Sequence, residues 1–415
     1  MFARLLFLSL SIATVAAELY RYDNYTLYRI VPRDENELTV LRDIHRSSHA
    51  YEFWKEPSRV DEFTSLVSPS ELRSDLEDVF MRNDIDYEIS IANIQNVIDE
   101  QMESRTKRNA DRNFRWDNYQ TLEQIYDWFD TLAQEHSSLV SVIVAGQSHE
   151  GRDIKGIKIS RGGGRKAFVL EGGMAGADWI SPVVLTYAAD QLIRGDDDEA
   201  RQAVNDYDWY IFPVTNPDGY EYSHNVVRGW VKNRRQVSNT AVGVDLTKNW
   251  NSHWGISGGS FNPAFVNFVG IGPFSEPETR SFSAYIDSIS SDLVGYLSFR
   301  SFGQRLLIPF AHTADHMYNY QEMVTIGRRA MGSLSVRFGT QYLVGTSSAV
   351  HDGATGAAAD WVKHRYNLPV VATFQLRDTG TWGYFLPVAQ VRPSCEETFD
   401  ALMAIIREAK FINVL

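Results

Sequence analysis

Apolar residues recur at helical spacing in the segment that begins near residue 120. Leu122, Ile125, Tyr126, Phe129 and Leu132 fall at positions i, i+3, i+4, i+7 and i+10, so they would form one apolar face of a helix. Short apolar runs rich in β-branched and aromatic residues follow, and they predict strands at 139–145, 166–170, 210–214 and 369–374. This alternation favours an α/β domain whose mixed, mainly parallel sheet is covered by helices on both faces.

The first hundred residues follow a different pattern. A strand-like run at 27–31 and a helix-like stretch at 71–81 predict a small α+β unit. The basic cluster Arg105, Lys107 and Arg108 comes next in a polar stretch, where an exposed chain is open to cleavage. A solvated helix end would carry the same cations. We interpret the cluster as a processing site between a domain at 18–108 and a domain at 109–415.

The chain begins with a short apolar run that follows one cation. Arg4 precedes residues 5–17, which end in the small residues Ala16 and Ala17. This arrangement is typical of a secretory signal, with a buried N-terminal strand as the alternative, so we expect residues 1–17 to be a signal peptide and the protein to be secreted and extracellular. Cys395 is the only cysteine, which excludes an intrachain disulfide. We expect a buried free thiol there unless it pairs with another chain.

Charge limits the classes of partner. The chain has 40 Lys and Arg against 53 Asp and Glu, a formal net charge of −13. Nucleic acids and anionic membranes attract basic faces, so neither is expected as a partner. No apolar run of about 18 residues follows the first 20 positions, so the sequence predicts no membrane-spanning helix.

Five blocks of residues, taken together, resemble the secreted zinc carboxypeptidases of the pancreatic A/B type. The blocks are Gly172-Gly173 with Asp178–Pro182, Pro213–Tyr220, Gly243–Leu246 with Asn249-Trp250, Pro273–Thr279, and Leu376–Gly380 with Leu386-Pro387. Their order and spacing cover essentially all of 109–415, and 18–108 matches the activation propeptide of that family in size and place. The resemblance implies an eight-stranded mixed sheet between helices and a zinc ion that activates water to release the C-terminal residue of a peptide.

This chain departs from the family at the positions that the resemblance assigns to zinc. The family binds zinc through a His-x-x-Glu pair and a distant His, and the matching positions here hold Ala175, Asp178 and Arg300. A catalytic zinc needs three donors and one open position, but alanine has no donor atom and arginine has no lone pair to offer. We therefore expect these positions to bind no zinc and the protein to need no cofactor.

Other positions that the resemblance assigns to catalysis also differ. The general-base position holds Gln375, a neutral amide that cannot accept a proton from water, and the oxyanion position holds Val231, which has no donor. The remaining substrate positions hold the following residues: Thr247 and Lys248 replace an Asn-Arg grip on the substrate carboxylate, Asp352 replaces a tyrosine, Ala177 replaces an outer arginine, Ala359 occupies the side-chain specificity position, and Arg228 keeps a family arginine.

Two structural expectations follow from the resemblance. Arg300 could supply the missing positive charge by pairing with Asp178, although the two groups could instead be solvated separately. The family also has non-proline cis peptide bonds near its site, and the matching bonds here are Ser301–Phe302, Pro309–Phe310 and Arg377–Asp378.

Rival catalytic motifs are present but weak. His45 with His49 and His312 with His316 have the His-x-x-x-His spacing, but neither pair includes the Glu of a His-Glu-x-x-His motif, so we expect surface or loop histidines. Ser257, between Gly255 and Gly259, matches the Gly-x-Ser-x-Gly motif in letters. That motif must join a strand to a helix, whereas this segment is typical of a flexible loop.

Three functional hypotheses follow. The leading one is a secreted, catalytically inactive carboxypeptidase relative that binds a peptide C-terminus through Lys248 and Arg228, or binds a protein partner. The alternative is an active metallocarboxypeptidase with a rebuilt metal site. The third is a protein that keeps only the fold and has no ligand.

Overall fold

The computed structural model describes residues 19–47, 50–108, 114–350 and 353–415. The predicted signal peptide, residues 1–17, lies outside the described residues, as do His49 and Asp352. The described chain forms two sheets, one from residues 26–91 and one from residues 140–375.

The first sheet is antiparallel, with strand order β2-β3-β1-β4. Its unit comprises β1 (Thr26–Ile30), α1 (Glu35–Ser47), β2 (Glu52–Lys55), β3 (Thr64–Ser68), α2 (Arg73–Arg82), β4 (Tyr87–Ile91) and α3 (Ile94–Arg108). Tyr28, Phe53 and Leu66 of the strands pack with Leu41 and Phe80 of the helices in one apolar cluster. The predicted α+β unit is confirmed.

The basic cluster lies at the end of α3. The backbone of residues 105–108 continues this helix, which is the alternative that the sequence left open. Residues 109–113 lie outside the described residues. Cleavage at Arg105, Lys107 or Arg108 stays a prediction.

The second sheet has eight strands in the order β11-β10-β12-β9-β7-β8-β6-β5. Four of its strand pairs are parallel (β7 with β8, β7 with β9, β9 with β12, and β10 with β11), and the other three are antiparallel. The elements are α4 (Leu122–Glu135), β5 (Val140–Gln147), β6 (Asp153–Ile159), β7 (Ala167–Glu171), α5 (Ile180–Arg194), α6 (Asp198–Asp206), β8 (Asp208–Phe212), α7 (Pro217–Asn225), α8 (Pro277–Ile289), β9 (Leu293–Arg300), β10 (Arg305–Ile308), α9 (Tyr320–Phe338), β11 (Leu343–Thr346), α10 (Ser347–Val350), α11 (Ala358–Tyr366), β12 (Val370–Gln375) and α12 (Val391–Phe411). The predicted mixed, mainly parallel sheet is confirmed.

Helices cover both faces of this sheet, as β7 illustrates. Phe168 and Leu170 belong to one apolar cluster and Ala167 and Val169 belong to another, because successive side chains of a strand point to opposite faces. All five residues of β7 are buried. A strand buried on both faces reads as a continuous apolar run, which is how 166–170 appears in the sequence.

The helix predicted from residue 122 forms as α4. Leu122, Ile125, Phe129 and Leu132 are buried in the core, so the apolar face is confirmed. The helix begins after Thr121, which forms a capping box with the side chain and backbone of Gln124, and this box satisfies two backbone groups at the helix start.

Two further predictions are confirmed. Cys395 on α12 is a buried free thiol. The peptide bonds Ser301–Phe302, Pro309–Phe310 and Arg377–Asp378 are cis. Within the described residues, no helix combines the length and the apolar character needed to cross a membrane.

Candidate functional site

Three polar residues meet where adjacent parallel strands end. Glu171, Arg300 and Gln375 are the last residues of β7, β9 and β12, and Gln375 pairs with Arg300 in register. In open α/β sheets, ligands bind in the crevice outside the carboxyl ends of the strands. The fold therefore places the candidate site at this edge.

A cavity of about 170 Å³ lies at this edge of the sheet. Most of the residues predicted from the sequence line it: Ala175, Val231, Thr247, Lys248, Arg300, Ala359 and Gln375. Asp178 and Arg228 are buried and are not among its lining residues, and Asp352 lies outside the described residues. Residues 53–56 of the N-terminal unit also line the cavity, so this unit covers part of the cleft.

Arg300 pairs with Glu171. Arg300 Nη2 lies 3.1 Å from Glu171 Oε1 and 3.4 Å from Met174 Sδ. The expectation that Arg300 pairs with Asp178 is therefore wrong. The strand register explains the difference, because Glu171 pairs with Ser298 and Arg300 follows two residues later on the same face of β9.

The Arg300–Glu171 pair is largely removed from water. The Glu171 side chain is fully buried and the Arg300 side chain is 13% exposed. Glu171 also accepts a hydrogen bond from the Tyr296 hydroxyl at 3.2 Å, whereas Arg300 Nη1 is buried and has no hydrogen-bond partner among the described residues. The pair thus neutralises a buried charge and leaves one donor group of Arg300 unused.

Asp178 holds two segments together beneath the cleft. Its carboxylate accepts hydrogen bonds from Ser181 Oγ at 2.8 Å, Ser181 N at 3.2 Å and Ser301 N at 2.9 Å. Burial raises the pKa of Asp178, and the hydrogen bonds from Ser181 and Ser301 oppose that rise. Asp178 therefore joins the start of α5 to the end of β9.

A small apolar cluster forms another wall of the cleft. Ala175, Ala177 and Val231 pack together, and the half-buried Val266 and Tyr384 pack against them. None of the aliphatic side chains in this cluster has a lone pair or a hydrogen-bond donor. This wall can contact apolar groups of a ligand.

Lys248 supplies a second cation to the cleft. Its ammonium group lies 3.0 Å from Asp245 Oδ2, and its side chain is 15% exposed. The other oxygen of Asp245 accepts a hydrogen bond from Thr247 Oγ1 at 2.6 Å. Asp245 therefore contacts both residues that the resemblance assigns to a carboxylate grip.

Arg228 connects the two units of the chain. It is fully buried and donates to the carbonyl oxygens of Ala177 at 2.9 Å and Tyr384 at 2.7 Å, and to Gln101 Oε1 of α3 at 3.1 Å. Its guanidinium lies 3.5 Å from the ring centroid of Trp179. Burial lowers the pKa of Arg228 to about 9.

Three histidines come together outside the cleft. One ring nitrogen from each of His253, His312 and His364 lies within 4.8 Å of the others. The rings of His253 and His312 stack at 3.5 Å, and His364 stacks on Phe310 at 4.2 Å. Burial, with the neighbouring His312 and His253, lowers the pKa of His364 to about 4. We call this group the three-histidine cluster.

Sequence spacing did not reveal the three-histidine cluster. His253 lies in the segment between α7 and α8, His312 lies in the loop after β10, and His364 lies on α11. The three residues are therefore far apart in the sequence. His316, the neighbour suggested by the His-x-x-x-His motif, stacks on Tyr320 at 3.6 Å instead. His45 packs against Phe53 and Phe265.

The Gly-x-Ser-x-Gly match lies in a loop, as expected. Residues 255–259 form turns and bends with no strand-to-helix junction. The Ser257 hydroxyl donates to the carbonyl oxygen of Gly353 at 2.5 Å. No nucleophile elbow is built there.

Comparison with known proteins identifies the family. Residues 125–401 match the zinc carboxypeptidase family and residues 28–101 match the carboxypeptidase activation peptide. The chain belongs to the zinc carboxypeptidase family. It is 36% identical over 405 residues to zinc carboxypeptidase A 1 of Anopheles gambiae, and the match covers 97% of this chain and 93% of that protein. It is 31% identical over 390 residues to mouse carboxypeptidase A2, with 92% and 93% covered.

Two solved structures are similar to this chain in fold. The carboxypeptidase A from Helicoverpa armigera superposes with a TM-score of 0.85 at 22% identity, over 94% of this chain and 98% of that one. Bovine thrombin-activatable fibrinolysis inhibitor, solved in complex with tick carboxypeptidase inhibitor, superposes with a TM-score of 0.67 at 27% identity. The match covers 71% of this chain and 99% of that one. The likeness to the Helicoverpa protein thus extends over both units of this chain.

The expectation about cofactors requires a correction. The residues Ala175, Asp178 and Arg300, at the positions that the resemblance assigns to zinc, led to the prediction that the protein needs no cofactor. That expectation is wrong, since the family is one of zinc enzymes and the three-histidine cluster could hold a metal ion.

Proposed function

We propose that this zinc carboxypeptidase relative binds the C-terminal end of a peptide in its cleft without hydrolysing it by the family's zinc mechanism. The observation that carries the proposal is the Arg300–Glu171 ion pair, which lies at 3.1 Å where the central strands end. A guanidinium at this point offers positive charge to a ligand but no lone pair to a metal.

The residues at the positions that the resemblance assigns to zinc do not fit a metal ion. Ala175 offers no donor atom, and the Asp178 carboxylate already accepts hydrogen bonds from Ser181 and Ser301. Arg300 is already paired with Glu171 at 3.1 Å, and its guanidinium offers no lone pair to a metal ion.

The two other catalytic positions support the same proposal. Gln375 lines the cleft, and its amide cannot take a proton from water. Val231 lines the cleft in the apolar cluster with Ala175 and Ala177. The resemblance assigns this position to the arginine that stabilises the oxyanion in family enzymes. Loss of one oxyanion donor typically lowers the rate by about 10²–10³.

Arg300 and Lys248 are the groups that we propose for binding the peptide carboxylate. Both line the cleft, and Arg300 Nη1 has no other hydrogen-bond partner among the described residues. Arg228, predicted for the same role, instead donates to Ala177, Tyr384 and Gln101. The small apolar Ala359 in the cleft wall favours peptides that end in apolar residues.

We further propose that residues 18–108 act as an activation-peptide-like domain and that the protein is secreted after removal of residues 1–17. The match of residues 28–101 to the carboxypeptidase activation peptide supports the first part. The apolar run after Arg4 supports the second.

Peptide binding tests the main proposal. Fluorescence anisotropy would compare a peptide that ends in an apolar residue with its C-terminal amide, on the full chain and on the chain cleaved at 105–108. The free acid should bind about tenfold tighter than the amide, a difference of about 1.4 kcal/mol. Arg300→Met should abolish the difference, and the control Arg329→Met, at a surface ion pair with Glu408, should keep it.

A second candidate function is a metallocarboxypeptidase whose metal is held by residues outside the family positions. The three-histidine cluster is the observation that favours it. Release of a C-terminal residue that a chelator stops and added zinc restores would establish this function and overturn the proposal of a non-hydrolysing protein.

A further inference from the structure

We infer that His253, His312 and His364 form a binding site for a divalent transition-metal ion, with zinc as the ion of first choice. None of the three lines the cleft, so the site is separate from the proposed peptide-binding residues. Imidazole nitrogen is a ligand that suits zinc, copper and nickel.

The three imidazoles supply the right number of donors. Three protein ligands with one open position is a known arrangement for zinc. In a tetrahedral site with zinc–nitrogen bonds of about 2.0–2.1 Å, two ligand nitrogens lie about 3.3–3.4 Å apart. Separations of up to 4.8 Å must therefore shorten by more than 1 Å when the ion binds. His253 and His364 are exposed, and exposed side chains change rotamer readily.

One ring nitrogen of the three-histidine cluster is buried. His312 Nδ1 has no hydrogen-bond partner among the described residues, although buried polar atoms are normally paired. A metal ion reached by this nitrogen would satisfy it. The rings of His253 and His312 lie parallel within 9°, so the exposed His253 ring must turn before both rings can direct a nitrogen lone pair at one ion.

Outer contacts already orient His364. Ser252 Oγ lies 2.9 Å from His364 Nδ1, and when the hydroxyl accepts from this nitrogen, Nε2 keeps the lone pair that a metal needs. Phe310 stacks on the His364 ring at an angle of 11°. A serine behind a histidine ligand is the kind of second contact that metal sites use to fix ring orientation.

The site would connect segments that also form the cleft. Ala311, next to His312, and Ala359, on the same helix as His364, both line the cleft. A metal ion bound to the three-histidine cluster would therefore tie α11 to the loop after β10.

Zinc binding to the full chain tests this inference. Equilibrium dialysis against buffered zinc should give one bound ion per chain, and cobalt in its place should give the visible absorption of a nitrogen-ligated ion. His253→Gln and His364→Gln should each weaken binding about 100-fold or more, and Ser252→Ala about 10- to 100-fold. His316→Gln, whose ring stacks on Tyr320, is the matched control and should bind zinc as the wild type does.

Two outcomes would overturn the inference. One is the absence of bound zinc in the wild type, and the other is zinc bound equally by the wild type and both ligand variants. Thermal unfolding without metal would check that the variants fold. We expect them to fold because His253 and His364 are exposed. Peptide binding should be unchanged in the histidine variants. The test of the zinc site is therefore independent of the test of peptide binding in the cleft.

Discussion

Replacing Glu171 by glutamine removes one charge of the buried pair and keeps its hydrogen bonds. The amide oxygen can still accept from Tyr296 and from Arg300 Nη2. At 3.1 Å, two unit charges attract by about 5 kcal/mol at an effective dielectric constant of about 20. Because the variant leaves Arg300 uncompensated, we expect the free energy of unfolding to fall by about 3 kcal/mol.

Urea unfolding at pH 7, followed by circular dichroism and tryptophan fluorescence, measures this loss. Glu199→Gln is the control, because Glu199 pairs with Arg407 at the surface with side chains 43% and 45% exposed, and its loss should stay below about 1 kcal/mol. The double variant Glu171→Gln with Arg300→Met should recover most of the stability, since it removes both charges. A loss for Glu171→Gln no greater than the control, or no recovery in the double variant, would refute the reasoning.

Three further predictions concern residues that do not line the cleft. Burial raises the pKa of Glu278 from 4.5 to about 7, so between these values the folded chain holds a proton that the unfolded chain has released. The free energy of unfolding should therefore fall by about 3 kcal/mol as pH rises through that window. Urea titrations at several pH values should show this fall in the wild type and not in Glu278→Gln. An equal fall in both proteins would contradict the assignment. Thr121→Ala should cost about 1 kcal/mol by removing the capping box of α4, and an unchanged unfolding midpoint would count against that role. Burial raises the pKa of the Cys395 thiol, so a thiol reagent should modify it only in denaturant, and rapid labelling of the native chain would show that the thiol is accessible.

Periodicity predicted the elements of the fold because burial follows from local pattern. The apolar face of α4 was readable because Leu122, Ile125, Phe129 and Leu132 recur at helical spacing. The N-terminal α+β unit was readable for the same reason. The number of strands came from resemblance, since no local signal sets how many strands join a sheet.

The site was only partly predictable because strand register decides its contacts. Arg300 was expected to pair with Asp178, but neighbouring strands place Glu171 beside it. Glu171 had no motif around it and reads as the end of an apolar run. The three-histidine cluster was missed for a related reason, since only the folded chain brings residues 253, 312 and 364 together.

The contacts between the two units have a consequence for a chain cut in α3. The apolar cluster that contains Tyr22, Val67 and Ile98 also contains Phe385 of the main unit. Glu62 of the N-terminal unit pairs with the buried Arg305, and Gln101 donates to the carbonyl oxygen of Leu386 at 2.9 Å. A single backbone break near residue 108 would sever none of these contacts, so the nicked protein should persist as a tight two-fragment complex that separates only under denaturing conditions.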